Sequence, residues 1–78
     1  MESKDGEFKD VLSDFRCPIS HELMKNPTVN EIGHTYEFES IMEWYALGHR
    51  TDPLTQRTVQ NLQLLIPNHN LRSKIQEW

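Results

Sequence analysis

One cysteine and four histidines are the side chains of this chain best suited to hold a metal or to act as a nucleophile and base. Zinc sites pair their ligands a few residues apart. Cys17 with His21 has that spacing, and His49 with Asp52 is a weaker match. However, Cys17-Pro18 opens a loop, no second close pair answers it, and a lone cysteine builds neither a four-thiolate site nor a C-x-x-C redox pair. The nucleophilic alternative is a Cys17 thiolate with His21 or His49 as its base. Such a site also needs an oxyanion pocket and a cleft, for which so short a chain has little room. A cysteine beside a proline among apolar neighbours reads instead as a small buried side chain. Glu37 and Glu39 adjoin a helix start, where acids interact favourably with the dipole, and this explains them without catalysis.

What remains is apolar side chains in polar surroundings. Ile19 lies between Pro18 and Ser20, Trp44 lies on a short helix, and Pro53 tops a second loop. If the two loops lie side by side over the helix, these three form one shallow hydrophobic patch, and interface hot spots favour Trp and a few well-placed aliphatic groups. The competing reading puts all three in the core.

The elements that must position them follow from pattern. Residues 1–14 read as a charged tail or linker. Glu2, Asp5, Glu7, Asp10 and Asp14 outnumber Lys4 and Lys9 there, and Phe8, Val11 and Leu12 at i, i+3 and i+4 allow a short docking helix. Residues 15–27 form a loop bracketed by Pro18 and Pro27 and pinned by Phe15, Ile19, Leu23 and Met24. Thr28–Ile32 and Thr35–Phe38 read as a hairpin with a tight Gly33-His34 turn. Residues 39–47 form a helix with Ile41, Trp44, Tyr45 and Leu47 on its apolar face and Gly48 as its terminator. A second polar loop spans 49–57, and a strand is expected from Leu64. Pro67-Asn68 stops that segment, and Asn68 caps a final helix with Leu71, Ile75 and Trp78 as its stripe. No repeat is legible. The stripe running out to the last residue suggests a piece of a longer protein.

Charge and composition narrow the class. The net charge is −4, from 8 basic and 12 acidic side chains, and the acid is concentrated in the tail. No basic stripe is present to grip nucleic acid. No apolar run approaches the ~20 residues that span a bilayer, and no secretory signal is visible. A free thiol then fits a reducing, intracellular setting, cytoplasmic or nuclear. A core of this size supplies only ~3–5 kcal/mol, so a chain without disulfide or metal needs another staple.

The residues resemble a known family. Phe15-Arg16-Cys17-Pro18-Ile19-Ser20, Leu23-Met24, Pro27 and Gly33-His34-Thr35-Tyr36-Glu37 are similar to the U-box. So are Ile41, Trp44, Gly48-His49, Asp52-Pro53-Leu54-Thr55, Ile66-Pro67-Asn68, Leu71-Arg72, Ile75 and Trp78. The resemblance covers residues 15–78 and implies an α+β fold: a small RING-like ββα unit with two long loops, a central helix and a C-terminal helix, without metal or other cofactor. It implies a ubiquitin ligase that recruits a ubiquitin-charged conjugating enzyme and promotes direct transfer to a lysine of a substrate the sequence does not identify. The alternative is a binding module that kept the fold and lost the activity. The implied docking residues are Ile19, Trp44 and Pro53, flanked by His21 and Leu23. The implied ubiquitin-clasping position is Gln56 or Arg57, although Gln lacks the cationic fork of Arg. Ser20, Glu22, Asn26, Glu37, His49, Arg50, Thr51, Asp52 and Thr55 are the implied polar network standing in for zinc. A homodimer is a further possible assembly. U-boxes also occur in proteins that intracellular bacteria deliver to a host cytosol. Asn26, Thr28 and Phe38 depart from the residues common in the family.

Overall fold

The computed structural model describes residues 14–77, so residues 1–13, with Phe8, Val11 and Leu12, and Trp78 lie outside the description. The elements run β1 (Pro27–Val29), β2 (Thr35–Glu37), α1 (Phe38–Ala46), β3 (Ile66–Pro67) and α2 (His69–Glu77). The three strands form an antiparallel sheet in the order β2-β1-β3, and the fold is the expected α+β class. The third strand starts at Ile66 rather than Leu64 and ends at Pro67 as expected, with Pro67 paired to Thr28 of β1. Strand β3 is an edge, where a missing N–H is tolerated.

The hairpin differs from the tight turn expected. Its loop is Glu31–Gly33, closed by the Asn30 N–H donating to the His34 carbonyl at 3.0 Å. Asn30 Oδ1 accepts the N–H groups of Ile32, Gly33 and His34, each at 3.1 Å. This side chain takes the donors that a longer ladder would have used, so β1 stops at Val29. Gly33 has φ 102°, a conformation glycine adopts without a Cβ penalty.

Helix α1 starts one residue earlier than expected, because the Phe38 N–H is held by the Asn26 carbonyl at 3.0 Å. It ends as expected at a left-handed Gly48, φ 100°. Ile41 is fully buried with Cys17, Met24 and Tyr36, and Ile19, Trp44, Tyr45, Leu65, Leu71 and Ile75 pack around that cluster. Leu47, expected on the apolar face, is 70% exposed. On α2, Asn68 Oδ1 caps the Leu71 N–H at 3.1 Å.

The two loops are copies of one another, although no repeat is evident in the sequence. The bridge Arg16↔Leu23 corresponds to Thr51↔Thr58. The Cys17 N–H donates to the Glu22 carbonyl at 2.9 Å, as Asp52 does to Arg57 at 2.8 Å. The His21 N–H returns to Cys17, and the Gln56 N–H to Asp52, both at 2.8 Å. His21 and Gln56 both have φ 63°. Hydroxyls match too: Ser20 Oγ accepts the Glu22 N–H at 3.4 Å, and Thr55 Oγ1 accepts the Arg57 N–H at 3.3 Å. A glutamate from the hairpin clasps each loop's far end. Glu37 accepts the N–H groups of Lys25 and Asn26 at 2.7 and 2.6 Å. Glu31 accepts those of Gln60 and Asn61 at 2.8 and 3.2 Å.

The loops differ at their anchors. Cys17 is buried, with its sulfur receiving the N–H groups of Ile19 and Glu37. Its counterpart, Asp52, is a fully buried carboxylate. Oδ1 accepts from Tyr36 Oη at 2.6 Å and Asn30 Nδ2 at 2.8 Å. Oδ2 accepts from Thr55 Oγ1 and N–H at 2.9 and 3.0 Å, and pairs with His34 Nδ1 at 3.0 Å. Burial alone would raise the Asp52 pKa. The hydrogen bonds from Tyr36, Asn30, His34 and Thr55 outweigh it and hold the carboxyl well below the usual carboxylate range. Burial, then the bond to Asp52, pushes the Tyr36 phenol far above its ordinary value.

Two outcomes are expected. Asp52→Ala strands the buried donors of Tyr36 and Asn30, at about 1–3 kcal/mol each. That is comparable to the whole stability of so small a domain, about 3–5 kcal/mol. Circular dichroism at 25 °C should show the variant largely unfolded, and a cooperative melt near wild type would refute the role. The pH profile should be flanked on both sides. Asp52 has a depressed folded pKa, so its contribution is present above about pH 4 and lost as acid protonates it. Tyr36 has a raised folded pKa, so its contribution is present below about pH 10 and lost in stronger alkali. Urea melts from pH 2 to 12 should therefore show a plateau that falls at both ends.

Candidate functional site

Each loop carries a proline and an aliphatic residue directly after its anchor: Pro18-Ile19 after Cys17, and Pro53-Leu54 after Asp52. Ile19 packs partly on the core cluster and still lines a groove with Ser20, Ser40, Glu43, Trp44 and Leu47. Trp44 is half-buried. Its indole N–H donates to the Thr51 carbonyl at 2.7 Å, and its ring stacks on His49 with centroids 3.8 Å apart and planes at 16°. The core and surface readings of Ile19 and Trp44 are therefore both met: each has one side on the core and another open to solvent. Pro53 is half-buried, and Leu54 beside it is 56% exposed.

The flanking residues are placed as follows. His21 is exposed at the left-handed position of loop 1, and Leu23, 39% exposed, pairs with Arg16 at that loop's base. Gln56 occupies the equivalent left-handed position of loop 2, its side-chain amide donating to the Pro53 carbonyl at 3.3 Å, while Arg57 is exposed.

The polar set divides in two. The carboxylates of Asp52 and Glu37 and the hydroxyls of Ser20 and Thr55 accept the bonds described above. Glu22, Asn26, Arg50 and Thr51 take part through their backbone: the Glu22 carbonyl receives Cys17, that of Asn26 receives Phe38, and that of Arg50 receives Val59 at 2.8 Å. His49 makes no hydrogen bond among the described residues and serves as a stacking partner. Among those residues no group of three or more His, Cys, Asp or Glu is gathered to hold a metal ion. The Cys17 thiol is buried and has no hydrogen bond to His21 or His49, so the nucleophilic alternative has no dyad.

Sequence reasoning missed several contributors. Asn30 and Tyr36 hold Asp52, and Glu31 clasps the second loop. A tyrosine in a buried strand needs a partner for its hydroxyl, and Asn three residues before Gly marks a side-chain-closed turn; both signals were available. Leu54 would have emerged from laying Cys17-Pro18-Ile19-Ser20-His21 over Asp52-Pro53-Leu54-Thr55-Gln56. Leu47, Ser40 and Glu43 are brought to the groove by helix geometry alone.

Comparison with known proteins places this arrangement. The sequence profile described as "U-box domain" matches residues 11–78. Similar proteins include the E3 ubiquitin-protein ligase SPL11 of Oryza sativa subsp. japonica, 49% identical over 68 residues, which cover 87% of this chain and 10% of that protein. U-box domain-containing protein 54 of Arabidopsis thaliana is 42% identical over 76 residues, 97% of this chain and 24% of that protein. U-box domain-containing protein 8 of the same plant is 47% identical over 66 residues, 85% of this chain and 18% of that protein. The chain thus spans between a tenth and a quarter of these relatives. With a profile match over nearly its whole length, on a hairpin–helix frame between two copied loops, the chain belongs to the U-box family.

Proposed function

We propose that this chain is the ligase module of a ubiquitin-protein ligase. It binds a ubiquitin-charged conjugating enzyme on the face formed by Ile19, Trp44, Pro53 and Leu54 and promotes direct transfer of ubiquitin to a substrate lysine. The observation that carries this reading is the half-open Trp44, its indole pinned by the Thr51 carbonyl, which lines one groove with Ile19 of loop 1; Leu54 is the exposed residue at the matching position of loop 2. A rigidly held Trp is a residue type that interface hot spots favour, and neighbouring apolar side chains serve to exclude water around it. The buried, hydrogen-bonded Cys17 favours transfer without a covalent ligase intermediate. Gln56 or Arg57 is the group we assign to contact ubiquitin, Arg57 being the cation.

Gln56 also supports the second reading, a binding module without ligase activity, because its amide is turned back onto Pro53 and carries no charge. Under that reading a screen of conjugating enzymes gives no discharge and no binding at Ile19, Trp44 or Pro53.

Autoubiquitination with a permissive conjugating enzyme tests the docking face. Leu54→Ala removes an exposed side chain and should leave the melt unchanged while lowering the rate about tenfold or more. Ile19→Ala should lower both the melt, by less than the ~2–5 kcal/mol of a fully buried site, and the rate. Wild-type rates in both variants would remove the face from consideration. Gln56→Arg should accelerate discharge of charged carrier severalfold with unchanged affinity for the ubiquitin-free carrier. An unchanged rate would argue that position 56 does not touch ubiquitin.

A further inference from the structure

Asn26, Thr28 and Phe38, the three positions that depart from the residues common in the family, come together around one pocket. Pro67 of β3 and His69 and Arg72 of α2 share its lining. None of these residues belongs to the face of Ile19, Trp44, Pro53 and Leu54. The pocket holds about 250 Å³, and a cavity of about 150 Å³ already takes a benzene ring. Phe38 is 43% exposed, an aromatic ring left half open at the start of α1. His69 and Arg72 are exposed, and their side chains form no hydrogen bond or ion pair among the described residues. The pocket is thus an apolar seat with an unmatched cation at its edge. It suits one large apolar side chain with acid beside it.

The chain carries such a segment close by. Glu7 precedes Phe8 directly, Asp10 follows it by two positions, and Val11 and Leu12 come next. This segment joins the domain at Phe15, whose carbonyl accepts the Met24 N–H at 2.9 Å, two residues before Asn26 of the pocket. From Phe8 to Phe15 the chain extends at most about 25 Å, so Phe8 reaches a pocket that begins this near the junction.

We infer that residues 7–12 dock in this pocket of their own domain, with Phe8 seated against Phe38 and Pro67 and an acid, Glu7 or Asp10, meeting Arg72. The tether keeps the segment at high local concentration, so a contact too weak to hold a separate peptide suffices. A small domain without a disulfide gains a staple in this way, and what precedes residue 7 is given a fixed point of departure.

The test uses the full chain, labelled with ¹⁵N, and the variants Phe8→Ala, Phe38→Ala, their combination and Arg72→Glu. Phe8→Ala should shift the amide signals of Thr28, Phe38 and Arg72 and lower the melting temperature by about 4–8 °C. The combined variant should lose clearly less than the sum of the two single losses, because each removes the same contact. Arg72→Glu should move the Phe8 amide signal in the direction in which Phe38→Ala moves it. Pocket signals indifferent to Phe8→Ala, or melting losses that simply add, overturn the inference. A Phe8 signal indifferent to Arg72→Glu overturns the ionic contact. Pocket signals that respond to Phe8→Ala only at concentrations where the chain is dimeric assign the pocket to the segment of a second copy, and overturn docking within one chain.

Discussion

A single carboxylate with no exposure to solvent organises this domain. An ionised group in that position is tolerable only when its oxygens are fully engaged, and Asp52 meets the condition with donors from the hairpin, from the end of β1 and from its own loop. Each donor is thereby fixed as well. Tyr36 is locked across the sheet, and its hydroxyl oxygen in turn receives the Leu54 N–H at 3.3 Å. Asn30 uses its amide nitrogen on Asp52 and its carbonyl on the hairpin turn, so the turn and the second loop share one side chain. Both the position of loop 2 and the closure of the hairpin depend on the same buried charge.

The glutamates extend this logic to the outer ends of the loops. A carboxylate taking two adjacent backbone N–H groups is a compact, charge-assisted clasp. Glu37 and Glu31 apply it to corresponding positions of the two loops. Because the hairpin supplies both, the short sheet is less a core layer than a bracket from which the loops hang. The apolar cluster around Ile41 is small, and these polar attachments carry the task of placing Ile19, Trp44, Pro53 and Leu54 relative to one another.

Much of this was legible in the sequence because it is local. The α1 segment, its Gly48 terminator, the Asn68 cap and the Leu71–Ile75 stripe each depend on residues within a turn or two. The hairpin's existence was legible, and Asn30 three residues before Gly33 signals a side-chain-closed turn, but the use of the Asn30 amide nitrogen was not, since it depends on Asp52 arriving from the second loop. The polar set was harder. Glu22, Asn26, Arg50 and Thr51 look like network side chains, yet they contribute backbone groups, and composition cannot tell these apart. Glu31 reads as an ordinary turn acid until the second loop is folded against it. Leu47 belongs to an apolar face by periodicity, but no element among the described residues covers that part of α1, so it lies open at the groove.

The two left-handed residues other than glycine among the described residues carry a further meaning. Glycine would adopt φ 63° without the ~1–2 kcal/mol that a Cβ adds, yet His21 and Gln56 stand there. In a domain of marginal stability that is a sizeable concession made twice, at matching points of two loops. It marks positions where a side chain is worth more than the ease of the turn. For a protein engineer these are the places where glycine would yield a more robust domain, at the loss of a side chain from the exposed surface of each loop.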